Sequence, residues 1–134
     1  MRSASARRRE GFETEIETRH HRLIVDEPED TGGGDSGPRP TELLAASLAS
    51  CTVITLVMYA DRKGWNVGQI EVGVEYDEPT AERPAALRTE ISIPAELSDE
   101  QRERLLVIAG KCPVHRTLAA QDVVIEDDLK TIEA

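Results

Sequence analysis

The sequence predicts an α+β domain with a mainly antiparallel sheet. Three observations carry this: short stretches of period-2 alternation, one long uncharged helical stretch in mid-chain, and a capped second helix near the C-terminal end. The 134 residues fit one domain. The opening residues 1–11 read as a disordered basic tail and residues 12–134 as the folded domain.

Taken in order, residues 12–18 (FETEIET) alternate Phe12, Thr14 and Ile16 with acidic residues and predict a half-buried strand. Residues 21–26 (HRLIVD) predict a second. The segment 27–40 (EPEDTGGGDSGPRP) is a loop by its Gly, Pro, Asp and Ser content. From Leu43 to Ala60 no residue is charged, Pro40 precedes the stretch and Lys63-Gly64 follows it, which marks a helix start and stop. Eighteen uncharged residues reach the length of a membrane span, but Ser47, Ser50, Thr52 and Thr55 interrupt them and no other segment is comparably apolar. A helix apolar on all sides is instead one wrapped by protein, and a chain this short has difficulty wrapping it alone, so a partner subunit is expected.

Residues 69–76 place Ile70, Val72, Val74 and Tyr76 on one face of a strand, and 87–93 do the same with Leu87, Thr89, Ile91 and Ile93. Ser98 and Gln101 form a capping box that opens a helix reaching about Lys111, with Leu105, Leu106, Ile108 and Ala109 inside. Pro113 starts a short further helix with Cys112 at its cap. Residues 122–126 (DVVIE) predict a last strand.

Sixteen Lys and Arg against 26 Asp and Glu give a net charge of −10. That argues against nucleic acid and anionic membranes as partners. Arg2, Arg7, Arg8 and Arg9 against Glu10 put +3 on the first ten residues, which leaves −13 on the rest. With no apolar run behind it, this basic start does not read as a secretory signal, and a cytoplasmic protein is expected.

Two cysteines are too few for a disulfide scaffold or an all-Cys zinc site. Cys51 alone reads as a small buried hydrophobe. Cys112 is either a simple helix cap or a reactive thiol, with Lys111, His115 and Arg116 adding positive charge beside a helix N-terminus. Together, 61 residues apart, they fit a thiol oxidised to sulfenic acid and a second that closes a disulfide on it. Glu42 stands nine residues before Cys51, on a different side of the helix, where the spacing alone reads as an acid favoured by the helix dipole. His20, His21 and His115 lack ligand spacing, so no metal and no other cofactor is expected.

The segments PTELLAASLASC (40–51), TVITLVMYADRKGW (52–65), KCPVHRTL (111–118) and HRLIVDEPEDTGGGDSGPRP (21–40) resemble the OsmC/Ohr family, the osmotically inducible protein C and organic hydroperoxide resistance proteins, in its OsmC-like branch. The resemblance runs from about residue 12 to about residue 128. It implies an intertwined homodimer whose long central helices are enclosed by sheet from both subunits. It implies a cysteine-based peroxidase acting on organic hydroperoxides, with Cys51 as the peroxidatic and Cys112 as the resolving cysteine. Glu42 would be the carboxylate that orients an activating Arg, and a dithiol such as a lipoylated protein would be the reductant. The family's hydroperoxide resistance members carry that Arg in a Gly-Gly-Arg turn. Here Thr18-Arg19-His20-His21-Arg22 stands in its place, so Arg19, Arg22, Arg39 and His21 are the candidates beside the thiol and substrate. A protein on the same fold that binds a small molecule, or senses redox state without catalysis, is the alternative.

Overall fold

The computed structural model describes residues 2–133. Three strands open the chain, β1 (Ser5–Glu10), β2 (Glu13–Thr18) and β3 (His21–Val25), and form one antiparallel sheet in that order. The expected disordered tail is therefore corrected: residues 5–10 are a strand. The reason is cross-strand charge. β2 carries Glu13, Glu15 and Glu17, the register sets Arg7 opposite Glu15, and Arg9 Nε lies 3.3 Å from Glu13 Oε2. Read by itself the basic segment has no apolar face, so its acidic neighbour was the missing term. Gly11, at φ +59°, turns β1 into β2. Arg19, at φ +53°, supplies the left-handed residue of the two-residue turn into β3.

The loop after β3 is organised around one carboxylate. Asp26 is 3% exposed. It accepts hydrogen bonds from the amides of Glu27 (2.8 Å), Gly34 (3.1 Å) and Ser36 (3.2 Å) and from Ser36 Oγ (2.9 Å). Gly33 and Gly37 approach the carbonyls of Glu27 and Ile24 so closely that neither position has room for a Cβ. The loop thus folds back along the end of β3, and the Asp26 amide closes it by donating to the Pro38 carbonyl at 3.1 Å.

Helix α1 (Pro40–Lys63) starts with Pro40 at its first turn and ends on Gly64 at φ +71°, as the Pro and Gly signals predict. Its buried residues Leu48, Thr52, Leu56, Tyr59 and Ala60 recur at helical spacing along one side. Strands β4 (Glu71–Asp77) and β5 (Ala86–Ser92) pair antiparallel as a second sheet, with Val72 opposite Ile91 and Tyr76 opposite Leu87. α1 packs on β4, and α2 (Asp99–Ala109) lies against α1. The core is Leu56, Tyr59, Ala60, Val67, Leu105, Ile108 and Ala109, with Ile91 and Ile93 packed on it. The capping box of α2 forms as expected: Ser98 Oγ accepts from the Gln101 amide at 3.1 Å, and Gln101 Oε1 accepts from the Ser98 amide at 2.9 Å.

Two further expectations are corrected. Leu106, expected inside, is exposed, because the buried stripe of α2 is set by Leu105 and Ile108 and turns Leu106 outward. Residues 122–126 are not a strand: they pair with neither sheet, and Val123, Val124 and Ile125 are exposed. Period and β-branching specify a strand's residues but not the edge it needs.

Candidate active site around Cys51 and Cys112

The short helix α3 (Pro113–Ala119) packs on α1 and so brings the second cysteine to the first. Cys112 is the N-cap of α3, and its Sγ accepts from the His115 amide at 3.4 Å. Pro113 fixes that geometry, since it holds the first helical position and has no N–H to satisfy. The Cys112 side chain is 0% exposed. Burial, and then the neighbouring Cys51 side chain, push its thiol up from the usual cysteine range, while the amides of His115 and Val114 pull the other way. The helix cap and the nearby cations therefore do not make Cys112 a thiolate: desolvation wins. Both cysteines are free thiols.

Cys51 is half-buried and faces outward from α1 into a groove of about 540 Å³. Ser47, Ile54, Met58 and Arg62 follow the same stripe of α1, at offsets of four and three residues, and Pro113 and Val114 of α3 form the opposite wall. The groove is apolar along its length, with a guanidinium at its far end. Arg62 is not among the residues expected from sequence at this site. Its signal was available: eleven residues, close to three helical turns, separate it from Cys51 and place both on one side of α1.

The other candidates lie elsewhere in the chain. Glu42 caps α1, its Oε1 accepting from the Arg39 amide at 2.9 Å. It is about 13 Å along the axis from Cys51 at 1.5 Å per residue. Arg39 Nε stands 4.0 Å from Glu27 Oε1, and Arg22 Nε stands 3.7 Å from Glu15 Oε1. Arg19 occupies the β2–β3 turn, and the His21 ring stacks against His20 at 4.0 Å. None of Arg19, Arg22, Arg39 or His21 lines the Cys51 groove of its own chain. The physical reason is topological: all four lie on or beside the first sheet, whereas Cys51 sits where α1 meets α3.

The OsmC-like protein family matches residues 32–126, a stretch that takes in α1, both cysteines and the second sheet. No curated protein matches the chain. Among solved structures, the chain resembles a protein of Psychrobacter arcticus described as an osmotic stress induced and detoxification response protein, at 24% identity over 87% of each chain with a TM-score of 0.77. It also resembles an OsmC-like protein of Mycoplasma pneumoniae, at 21% identity over 90% of this chain and 89% of the other, with a TM-score of 0.71. A third is an organic hydroperoxide resistance protein of Legionella pneumophila, at 22% identity over 89% of each chain with a TM-score of 0.67. At these identities the likeness is one of fold. With the family matched over well more than half its length and the architecture shared with solved members, this chain belongs to the OsmC-like protein family.

Proposed function

We propose that this protein is a thiol-dependent peroxidase that reduces organic hydroperoxides in oxidative-stress defence. One observation carries the reading: an accessible free thiol, Cys51, in an apolar groove, backed by a second free thiol, Cys112, that is fully buried beside it. The Cys51 thiolate attacks the distal oxygen of ROOH. The O–O bond breaks, the alkoxide takes a proton and leaves as the alcohol, and Cys51 becomes a sulfenic acid. The Cys112 sulfur then attacks the Cys51 sulfur and displaces hydroxide, which takes the Cys112 proton and leaves as water, and a disulfide remains. An external dithiol reduces that disulfide and is itself oxidised to its own. The raised Cys112 suits the second role, because it stays protonated and inert until its neighbour is oxidised. The apolar groove accepts the alkyl part of the peroxide.

Family membership and the solved hydroperoxide resistance relative support the same chemistry. In this reading the protein works in the cytoplasm as a homodimer. Only 28% of the most apolar eighteen-residue stretch of α1 is buried within one chain, and Ile54 and Met58 on the cysteine groove are each 58% exposed, an arrangement that a second copy would cover. In this reading the partner supplies the cation that Cys51 lacks in its own chain. Glu42, held at the start of α1, would then position it.

Stopped-flow oxidation by cumene hydroperoxide tests the reading. Cys51→Ser is expected to abolish peroxide consumption. Cys112→Ser is expected to consume one equivalent, accumulate sulfenic acid and stop. A Cys51→Ser protein as fast as the parent overturns the assignment.

A second reading is a non-catalytic binding or redox-sensing protein on the same fold. It is favoured by the distance of about 16 Å along α1 between Cys51 and Arg62, the cation on its groove. Without a nearby cation, an apolar setting leaves a thiol a poor nucleophile. Thiol titration after one equivalent of organic peroxide, followed by peroxide consumption with excess dithiol, separates the two: loss of both thiols with turnover supports the enzyme, unchanged thiols or thiol loss without turnover the second reading.

A further inference from the structure

Away from the cysteines, the end of α1 and the first half of α2 enclose an open pocket of about 690 Å³. Its floor is Tyr59, 8% exposed, whose hydroxyl accepts a hydrogen bond from Arg104 Nε at 2.9 Å. Trp65 stands edge-on to the Tyr59 ring at 5.7 Å and forms one wall. Lys63 Nζ lies 5.7 Å, and the Arg104 guanidinium carbon 5.6 Å, from the centre of that ring. Two cations thus converge on one aromatic floor. Among the described residues neither takes part in an ion pair, although Glu100 and Glu103 also line the pocket.

The detail that points to a ligand is which nitrogen Tyr59 engages. A guanidinium has five N–H donors. Tyr59 takes the Nε–H and fixes the plane, so the two terminal NH₂ groups are the donors left over, and they form the edge that meets a carboxylate bidentately. Lys63 adds a second positive charge to the same mouth. The carboxylates of Glu100 and Glu103 oppose a strongly charged anion, which disfavours a phosphate dianion and leaves a single negative charge as the matching guest. Trp65 and the side chain of Val107 offer a flat apolar wall beside it.

We propose that this pocket is a binding site for a small aromatic monocarboxylate, held by Arg104 and Lys63 and stacked on Trp65, and separate from the cysteine chemistry.

Trp65 is the only tryptophan in the chain, so its fluorescence reports on this pocket directly. Titration of the full-length protein with phenylacetate is expected to give a saturable change. Phenylacetamide, which has the same shape without the charge, is expected to bind about tenfold more weakly or less well still. Arg104→Gln and Lys63→Gln, each checked by its thermal melt, are expected to weaken phenylacetate by a similar factor. Lys63 is exposed, so Lys63→Gln still gives the answer if Arg104→Gln loses stability. The proposal is overturned if no saturable change occurs, if the amide binds as well as the acid, if 2-phenylethylammonium binds better than either, or if folded Lys63→Gln binds as the parent does.

Discussion

Cys51 and Cys112 differ in what surrounds each sulfur, and that difference sorts their reactivity. Cys51 opens on a groove, whereas Cys112 is enclosed and its thiol is held above the usual range by desolvation first and by Cys51 second. Iodoacetamide at neutral pH is therefore expected to modify Cys51 at least about tenfold faster than Cys112, read by mass spectrometry of the two peptides, with the Cys112 rate still climbing at a pH where that of an unperturbed thiol has levelled off. Equal rates would remove the ground for assigning the two their different roles. The same reasoning applies to Asp26, with the opposite sign. Hydrogen bonds from the Glu27 amide, then from Ser36 and Gly34, outweigh burial and hold its carboxyl below the usual aspartate range. Its folded pKa is depressed, so its contribution to stability is fully present above the unfolded value and is lost as pH falls through the folded one. Asp26→Asn is expected to melt below the parent at neutral pH, and the gap between their melting temperatures is expected to close in strong acid. A gap that persists unchanged there would mean that the charge of Asp26 does not matter.

At the level of elements, α1 is the spine, and its two sides do different work. The side carrying Leu56 and Ala60 is fully covered by α2 and the second sheet, so Leu56→Ala is expected to cost about 2–5 kcal/mol in a denaturant melt. The side carrying Cys51, Ile54 and Met58 is open, and substitutions there are expected to leave the fold of one chain intact. The start and stop of α1 and α2 were readable from Pro40, Gly64, Ser98 and Gln101, since capping is local chemistry between residues a few positions apart. β1 was not, because its reason for being a strand is the acidic face of β2, and pairing is not a property of one segment. Residues 122–126 failed in the opposite direction: the pattern is that of a strand, but a strand exists only where an edge accepts it.

For the molecule as a whole, the open side of α1 is the feature that asks for a second copy. The homodimer reading predicts a particle of twice 14.8 kDa by light scattering, and Ile54→Asp or Met58→Asp is expected to shift it toward the monomer. A parent protein that runs as a monomer at every concentration would sink this reading. The site reading depends on the same point. His21 and Arg22 lie in β3, Arg19 in the turn before it and Arg39 at the cap of α1, and in one chain none of them is on the Cys51 groove. If the dimer brings the partner's first sheet over α1, a cation arrives from that side, and the peroxidase rate should fall with dilution below the dimer's dissociation constant.

The sequence alone determined the α+β class, the boundaries of the two longer helices, the second hairpin with all of its named inward strand residues except Thr89, which is exposed, the cap position of Cys112 and the family. Each follows from periodicity, caps or a run of motif residues, which are interactions of near neighbours along the chain. Only the tertiary structure decided that Cys112 is a buried, raised thiol rather than an activated one, that Arg62 shares the groove with Cys51, that Glu42 is engaged in capping, and that Arg104 Nε donates to the Tyr59 hydroxyl. Solvation and side-chain direction are set by what packs from distant parts of the chain, and the dielectric around a sulfur is not written in its neighbours in sequence.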